Sequence, residues 1–120
     1  MYNATKFGLR GFALAFRQYL HDSGVGVSLV MPGFVSDAGM FADTGLDAPA
    51  GLGTVTPQQV AQGVLKAIDK DRAEVTVAPL ALRASTSLGH LLPELSALAQ
   101  RKFTPPGYLD EFIAGQADKK

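Results

Sequence analysis

The stretch Val25 to Met31, VGVSLVM, is almost continuously apolar, rich in valine, and runs straight into Pro32-Gly33. A strand with one wet face alternates apolar and polar residues. A strand covered on both faces does not, and such strands belong to parallel sheets. Val25–Met31 is therefore expected to be a parallel strand, stopped by Pro32-Gly33. The segments beyond it fit that reading. Thr56 stands as an N-cap, Pro57 at the first helical position, and Gln59 completes a capping box. Val60, Val64, Leu65 and Ile68 then give a helical apolar face that continues to about Lys70. Glu74 to Ala78 reads as a second short strand, ended by Pro79. Strand, crossover helix and strand form one βαβ unit, expected to be right-handed.

Before this unit, Tyr2 to about Asp22 reads as a helix. Phe12, Phe16, Tyr19 and Leu20 share one side, with Leu9 nearby. A second stripe is small: Ala4, Gly8, Gly11 and Ala15. Each helical glycine costs up to about 1 kcal/mol relative to alanine, so a second backbone is expected close by. Gly24 suits the C-cap. Phe34 to Val55 is a loop of about twenty residues with room for a helical turn at Ala38–Asp43, and loops that long are usually functional. After Pro79, Leu80–Gly89 and Pro93–Lys102 read as short amphipathic helices. Leu88, Leu91, Leu92, Leu95 and Leu98 supply their apolar side. Thr104-Pro105-Pro106-Gly107 breaks the pattern, and the remainder to Lys120 is expected to be loose.

Composition excludes several classes. Eleven basic and eleven acidic residues in 120 leave no net charge, so the basic footprint of a nucleic-acid binder is missing. Apolar stretches are broken at Arg17, Asp22, Asp37 and Lys66, well short of the roughly 18 residues that suggest a membrane span. The amphipathic tail carries few basic residues on its polar face, which argues against membrane association. No leader pattern opens the sequence. Without cysteine there are no disulfides or thiolate zinc sites, which fits a cytoplasmic protein. His21 and His90 stand far apart, outside any metal-ligand spacing, and read as surface or packing residues.

The chemistry concentrates at the start of the first helix. Tyr2 and Lys6 stand four apart, on one face and one turn from each other. A free phenol deprotonates only near about pH 10. A nearby ammonium favours the phenolate. A hundred- to thousandfold shift in that equilibrium requires roughly 3–4 kcal/mol. A tyrosine so placed can protonate a carbonyl oxygen or deprotonate an alcohol.

The full string YNATKFGLRGFALAFRQYL resembles the catalytic helix of the short-chain dehydrogenases/reductases. Ala4-Thr5, Phe7-Gly8, Gly11-Phe12 and Arg17 match its pattern around the tyrosine and lysine. The hydrophobic strand, Pro32-Gly33 and Phe34-Val35 come next at the family's separation, then a substrate loop and a proline-initiated helix. The resemblance covers about residues 2 to 80. It implies an α/β fold: residues 1–79 as the C-terminal part of a Rossmann-type doubly wound parallel sheet, 80–103 as a helical extension, and 104–120 as a flexible tail. It also implies an oxidoreductase that interconverts a carbonyl and an alcohol by hydride transfer with NAD or NADP. Tyr2 would be the general acid/base, and Lys6 would bind the nicotinamide ribose and lower the tyrosine's pKa. Pro32, Gly33, Phe34 and Val35 would line the nicotinamide, with backbone groups near Val35 meeting its carboxamide. The loop from Asp37 to Gly53 would close over a small carbonyl or alcohol substrate, with Met40 and Phe41 as its apolar contacts. The first helix would pair across a homo-oligomer interface.

Some family features are not found. The glycine-rich dinucleotide turn, the Asn-Ala-Gly segment and the catalytic serine belong before the tyrosine, and Ser23, Ser28 and Ser36 all come after it. The family often places threonine four residues beyond the glycine of Pro-Gly; Asp37 stands there, with Ser36 beside it. The 120 residues are therefore expected to be a fragment, inactive alone. An alternative from another class is a non-catalytic dimerisation or regulatory module built on the same fold.

Overall fold

The computed structural model describes residues 2–49, 51–103 and Gly107. The expected flexible tail, apart from Gly107, lies outside the described residues. In chain order the elements are α1 (Tyr2–Tyr19), β1 (Leu29–Pro32), α2 (Gly39–Ala42), α3 (Pro57–Asp69), β2 (Glu74–Val77), α4 (Leu80–Leu91) and α5 (Pro93–Phe103). None of the described helices is long and apolar enough to cross a membrane. The chain divides into two compact units, Met1–Pro32 with Gln58–Val77 and Gly33–Pro57 with Ala78–Lys120.

In the first unit β1 and β2 pair in parallel, from Leu29 opposite Glu74 to Pro32 opposite Val77, and α3 makes the crossover. Gly63 and Ala67 are the buried residues of α3. A Cβ at Gly63 would run into the Val77 side chain and meet Cγ1 of Val30 at 3.8 Å. The helix thus lies against the strands through its smallest residues. The expected apolar face of Val60, Val64, Leu65 and Ile68 is corrected in part: Val60 is half-buried, but Val64, Leu65 and Ile68 are 40%, 66% and 70% exposed. The close approach at Gly63 selects the inward face, and bulky neighbours one or two positions away turn outward.

The first helix repeats this pattern. Its inward face is Arg10, Ala13, Leu14 and Arg17, spaced at the helical period. The guanidinium of Arg10 forks onto Glu74 at the start of β2, with Nη2 donating to Oε2 at 2.9 Å. Arg17 donates to both carboxylate oxygens of Asp71, at 2.8 and 2.7 Å, and to the backbone carbonyl of Val27 at 2.8 Å. The expected apolar side, Phe12, Phe16 and Tyr19, is instead a ladder of stacked rings 5.4 and 6.3 Å apart that faces outward. Nothing described lies within 4 Å of a Cβ built on Gly8 or Gly11, so the anticipated neighbouring backbone is not found within the described chain.

Strand β1 begins at Leu29, four residues later than the apolar run suggested. Its partner explains the difference. The Ala73 carbonyl still accepts from the Leu29 N–H at 2.9 Å, but before it the chain turns away, with the Arg72 N–H bonded to the Ala67 carbonyl and Asp71 at φ +42°. Val27 offers its carbonyl to Arg17 rather than to a ladder. The expected covering of both strand faces is also incomplete, since Leu29, Val30 and Met31 are half-buried. His21 is exposed and lies 2.9 Å from Asp22.

In the second unit, Val35 and Val55 form a parallel bridge that closes the base of the long loop. Val55 is 5% exposed, and α2 lies within the loop, where the sequence expected a turn. Helix α4 extends two residues past Gly89 to Leu91, and α5 runs on from Pro93.

Two outcomes test this packing. Gly63→Ala should destabilise by about 1–3 kcal/mol in urea unfolding, because the added methyl has no space. The hydrogen bond from Arg17, then its charge, hold the Asp71 carboxyl below the usual carboxylate range. Because that value is lowered on folding, the pair's support is present above the unfolded carboxylate range and is lost as pH falls through the folded value. Unfolding midpoints measured from about pH 6 down to about pH 2 should therefore fall at the acid end, and Asp71→Asn should flatten that part of the slope.

Candidate functional site

The residues singled out in the sequence divide between the two units. Tyr2 and Lys6 lie on the first two turns of α1, and Pro32 is the last residue of β1. Gly33, Phe34, Val35, Met40 and Phe41 belong to the second unit. The backbone of Tyr2 is helical and Lys6 is exposed, so the four-residue spacing does place both on one helix.

Gly33 has a packing reason to be glycine. A Cβ there would approach Cδ2 of Leu82 to 2.8 Å and Cβ of Ala78 to 3.1 Å. The peptide beyond it is held by two hydrogen bonds. The Val55 N–H donates to the Phe34 carbonyl at 2.8 Å, and the Ser36 N–H donates to the Val55 carbonyl at 2.9 Å. Neither bond uses the N–H or C=O of Val35. In a parallel bridge those two groups point to the edge opposite Val55. Val35 therefore presents one donor and one acceptor side by side on the edge of its bridge that faces away from Val55.

Beside this edge the Phe34 and Phe41 rings meet at 4.8 Å, tilted by 49°. Phe41 is partly used in this contact, whereas Met40 is 44% exposed. Thr44 secures the end of α2, its hydroxyl donating to the Phe41 carbonyl at 2.7 Å. Asp37 sits at φ +63° and accepts a 2.6 Å hydrogen bond from the Ser36 hydroxyl.

Two features were missed in the sequence. Val55 was read only as the end of a loop, and no local signal joins valines this far apart. Arg10 and Arg17 are two helical turns apart and face Glu74 and Asp71, a matched spacing of charges that periodicity could have revealed.

The parallel strand–helix–strand of the first unit is a small α/β arrangement compatible with part of a Rossmann-like sheet. Sequence comparison makes this specific. A ketoacyl reductase, HetN, from Nostoc sp. strain PCC 7120 is 46% identical over 77 residues, which cover 64% of this chain and 27% of that protein. A dehydrogenase/reductase SDR family protein 7-like from Anopheles gambiae is 34% identical over 101 residues, 78% of this chain and 32% of its own. An uncharacterized oxidoreductase from Mycobacterium tuberculosis is 34% identical over 93 residues, 78% of this chain and 35% of its own. The chain belongs to the short-chain dehydrogenase/reductase family of oxidoreductases. It spans 27–35% of the length of these relatives. No family model and no solved structure matches.

Gly33→Ala should cost about 1–3 kcal/mol through overpacking. Because Leu82 supplies the nearest atom, Leu82→Ala in the same chain should recover part of that loss. A double-mutant cycle read by thermal unfolding checks it, with a coupling of about 1 kcal/mol expected.

Proposed function

We propose that this chain is the C-terminal part of an NAD- or NADP-dependent oxidoreductase that interconverts a small carbonyl compound and its alcohol. The observation that carries the reading is the N–H and C=O pair of Val35 that its bridge to Val55 leaves unused. A carboxamide has one acceptor and one donor group, so it can pair with both, as a neighbouring strand would. The kinship with oxidoreductases supports reading the nicotinamide carboxamide as its ligand.

When bound, the nicotinamide supplies hydride exchange with the substrate carbon. The chain's own residues handle binding and the proton. Tyr2 gives its phenolic proton to the carbonyl oxygen during reduction, or takes the alcohol proton during oxidation. Lys6, one turn on, holds the ribose and favours the phenolate. Pro32, Gly33, Phe34 and Val35 line the nicotinamide. Met40 is the exposed apolar contact for substrate, and Phe41 backs it through Phe34. The remaining cofactor contacts belong to sequence outside these 120 residues, in keeping with the share of the relatives that the chain covers. Alone, the chain binds cofactor weakly and does not turn over.

One observation favours a second reading, a dimerisation or regulatory module. The outward ladder of Phe12, Phe16 and Tyr19 is suited to burial against another subunit. It also fits the enzyme, as a homo-oligomer joined through α1.

In the complete protein, Tyr2→Phe should lower kcat at least about a hundredfold. Nicotinamide binding, followed by cofactor fluorescence, should stay nearly unchanged. Lys6→Met should weaken both. Full activity in Tyr2→Phe would sink the acid/base assignment, and turnover by the isolated 120-residue chain would sink the assignment as a part.

A further inference from the structure

We propose that Asp37 makes the site prefer the oxidised over the reduced nicotinamide; this rests on the nicotinamide reading above. Residues Val35 and Asp37 are two apart, so their Cα atoms lie no more than about 7 Å from each other. A ring whose carboxamide pairs with Val35 is thus within reach of the Asp37 carboxylate's field. The oxidised ring carries a positive charge and the reduced ring carries none. A fixed carboxylate beside it therefore stabilises one form and is indifferent to the other.

The backbone holds the charge in place. The Ser36 N–H is tied to Val55 at 2.9 Å, and its hydroxyl donates to Asp37 Oδ2 at 2.6 Å. The Ala38 N–H closes onto the Ser36 carbonyl at 2.7 Å. Asp37 stands at φ +63°, a conformation that aspartate and asparagine adopt more readily than other side chains. A β-branched threonine there would be strained. The local turn therefore suits the aspartate and disfavours threonine, the residue of similar size that would donate a hydrogen bond without adding charge.

The test compares dissociation constants for the oxidised and reduced forms of one dinucleotide in the complete protein. The reduced form is followed by its fluorescence and the oxidised form by calorimetry. Asp37→Asn keeps the size and tolerates the turn but removes the charge. It should lower the preference for the oxidised form by about three- to tenfold, mostly by weakening that form, and the effect should shrink in high salt. Asp37→Gly, which also relaxes the backbone, should do the same. Ser36→Ala should largely keep the preference. An unchanged ratio in both Asp37 variants overturns the inference while leaving the nicotinamide reading intact. Failure of either form to bind the unaltered protein overturns both.

Discussion

The close approach of α3 to the strand pair, made possible by Gly63, is the contact on which the first unit depends. Two parallel strands can be joined only by a crossover, and the crossover must lie flat against them. Val77 and Val30 occupy the space where a side chain at position 63 would stand. Once that face is fixed, Ala67 is drawn inward with it and Val64, Leu65 and Ile68 are carried outward. The same choice of a small inward face recurs in α1, where Ala13 is buried between two arginines that reach Glu74 and Asp71. Exposed ion pairs contribute little stability, typically about 0–1 kcal/mol. Their geometry instead ties α1 to the segment that leads into β2, at Asp71 and at Glu74.

Such packing leaves much apolar surface uncovered. Among the described residues only Ala13, Val55 and Ala67 are buried hydrophobics, and a two-stranded sheet is marginal by itself. The outward aromatic ladder of α1 and the outward valine, leucine and isoleucine of α3 are faces awaiting cover. The matched part of the chain covers 27–35% of each relative, so such proteins hold further sequence of the kind that covers faces like these. In the second unit the bridge to Val55 uses the groups on either side of Val35 and leaves that residue's own N–H and C=O unused by the bridge.

The strand–helix–strand order was legible because its signals are local: a proline-initiated helix between two short β-rich runs, each ended by proline. The family was legible because Tyr2, Lys6 and Pro32-Gly33 combine at a fixed separation. The inward faces of the helices were not. Periodicity marks where large apolar residues recur, and here glycine and alanine decide which side can approach the sheet. The start of β1 was misplaced for a related reason, since apolar character runs on through Val25–Ser28 but a ladder needs a partner, and the turn at Asp71 provides none. Gly33 was read for its place beside the nicotinamide, but its packing against Leu82 and Ala78 could not be seen without the fold. The left-handed turn at Asp37 was equally hidden, although the unusual residue there was visible.

The most direct measurement is the titration of the Tyr2 phenol in the complete protein, using tyrosine labelled at the ring carbon that bears the hydroxyl. With oxidised cofactor bound, the resonance is expected to titrate below the ordinary range for tyrosine, and Lys6→Met should return it toward that range. A Tyr2 phenol that titrates as a free tyrosine does, indifferent to Lys6, would contradict the proton-transfer role.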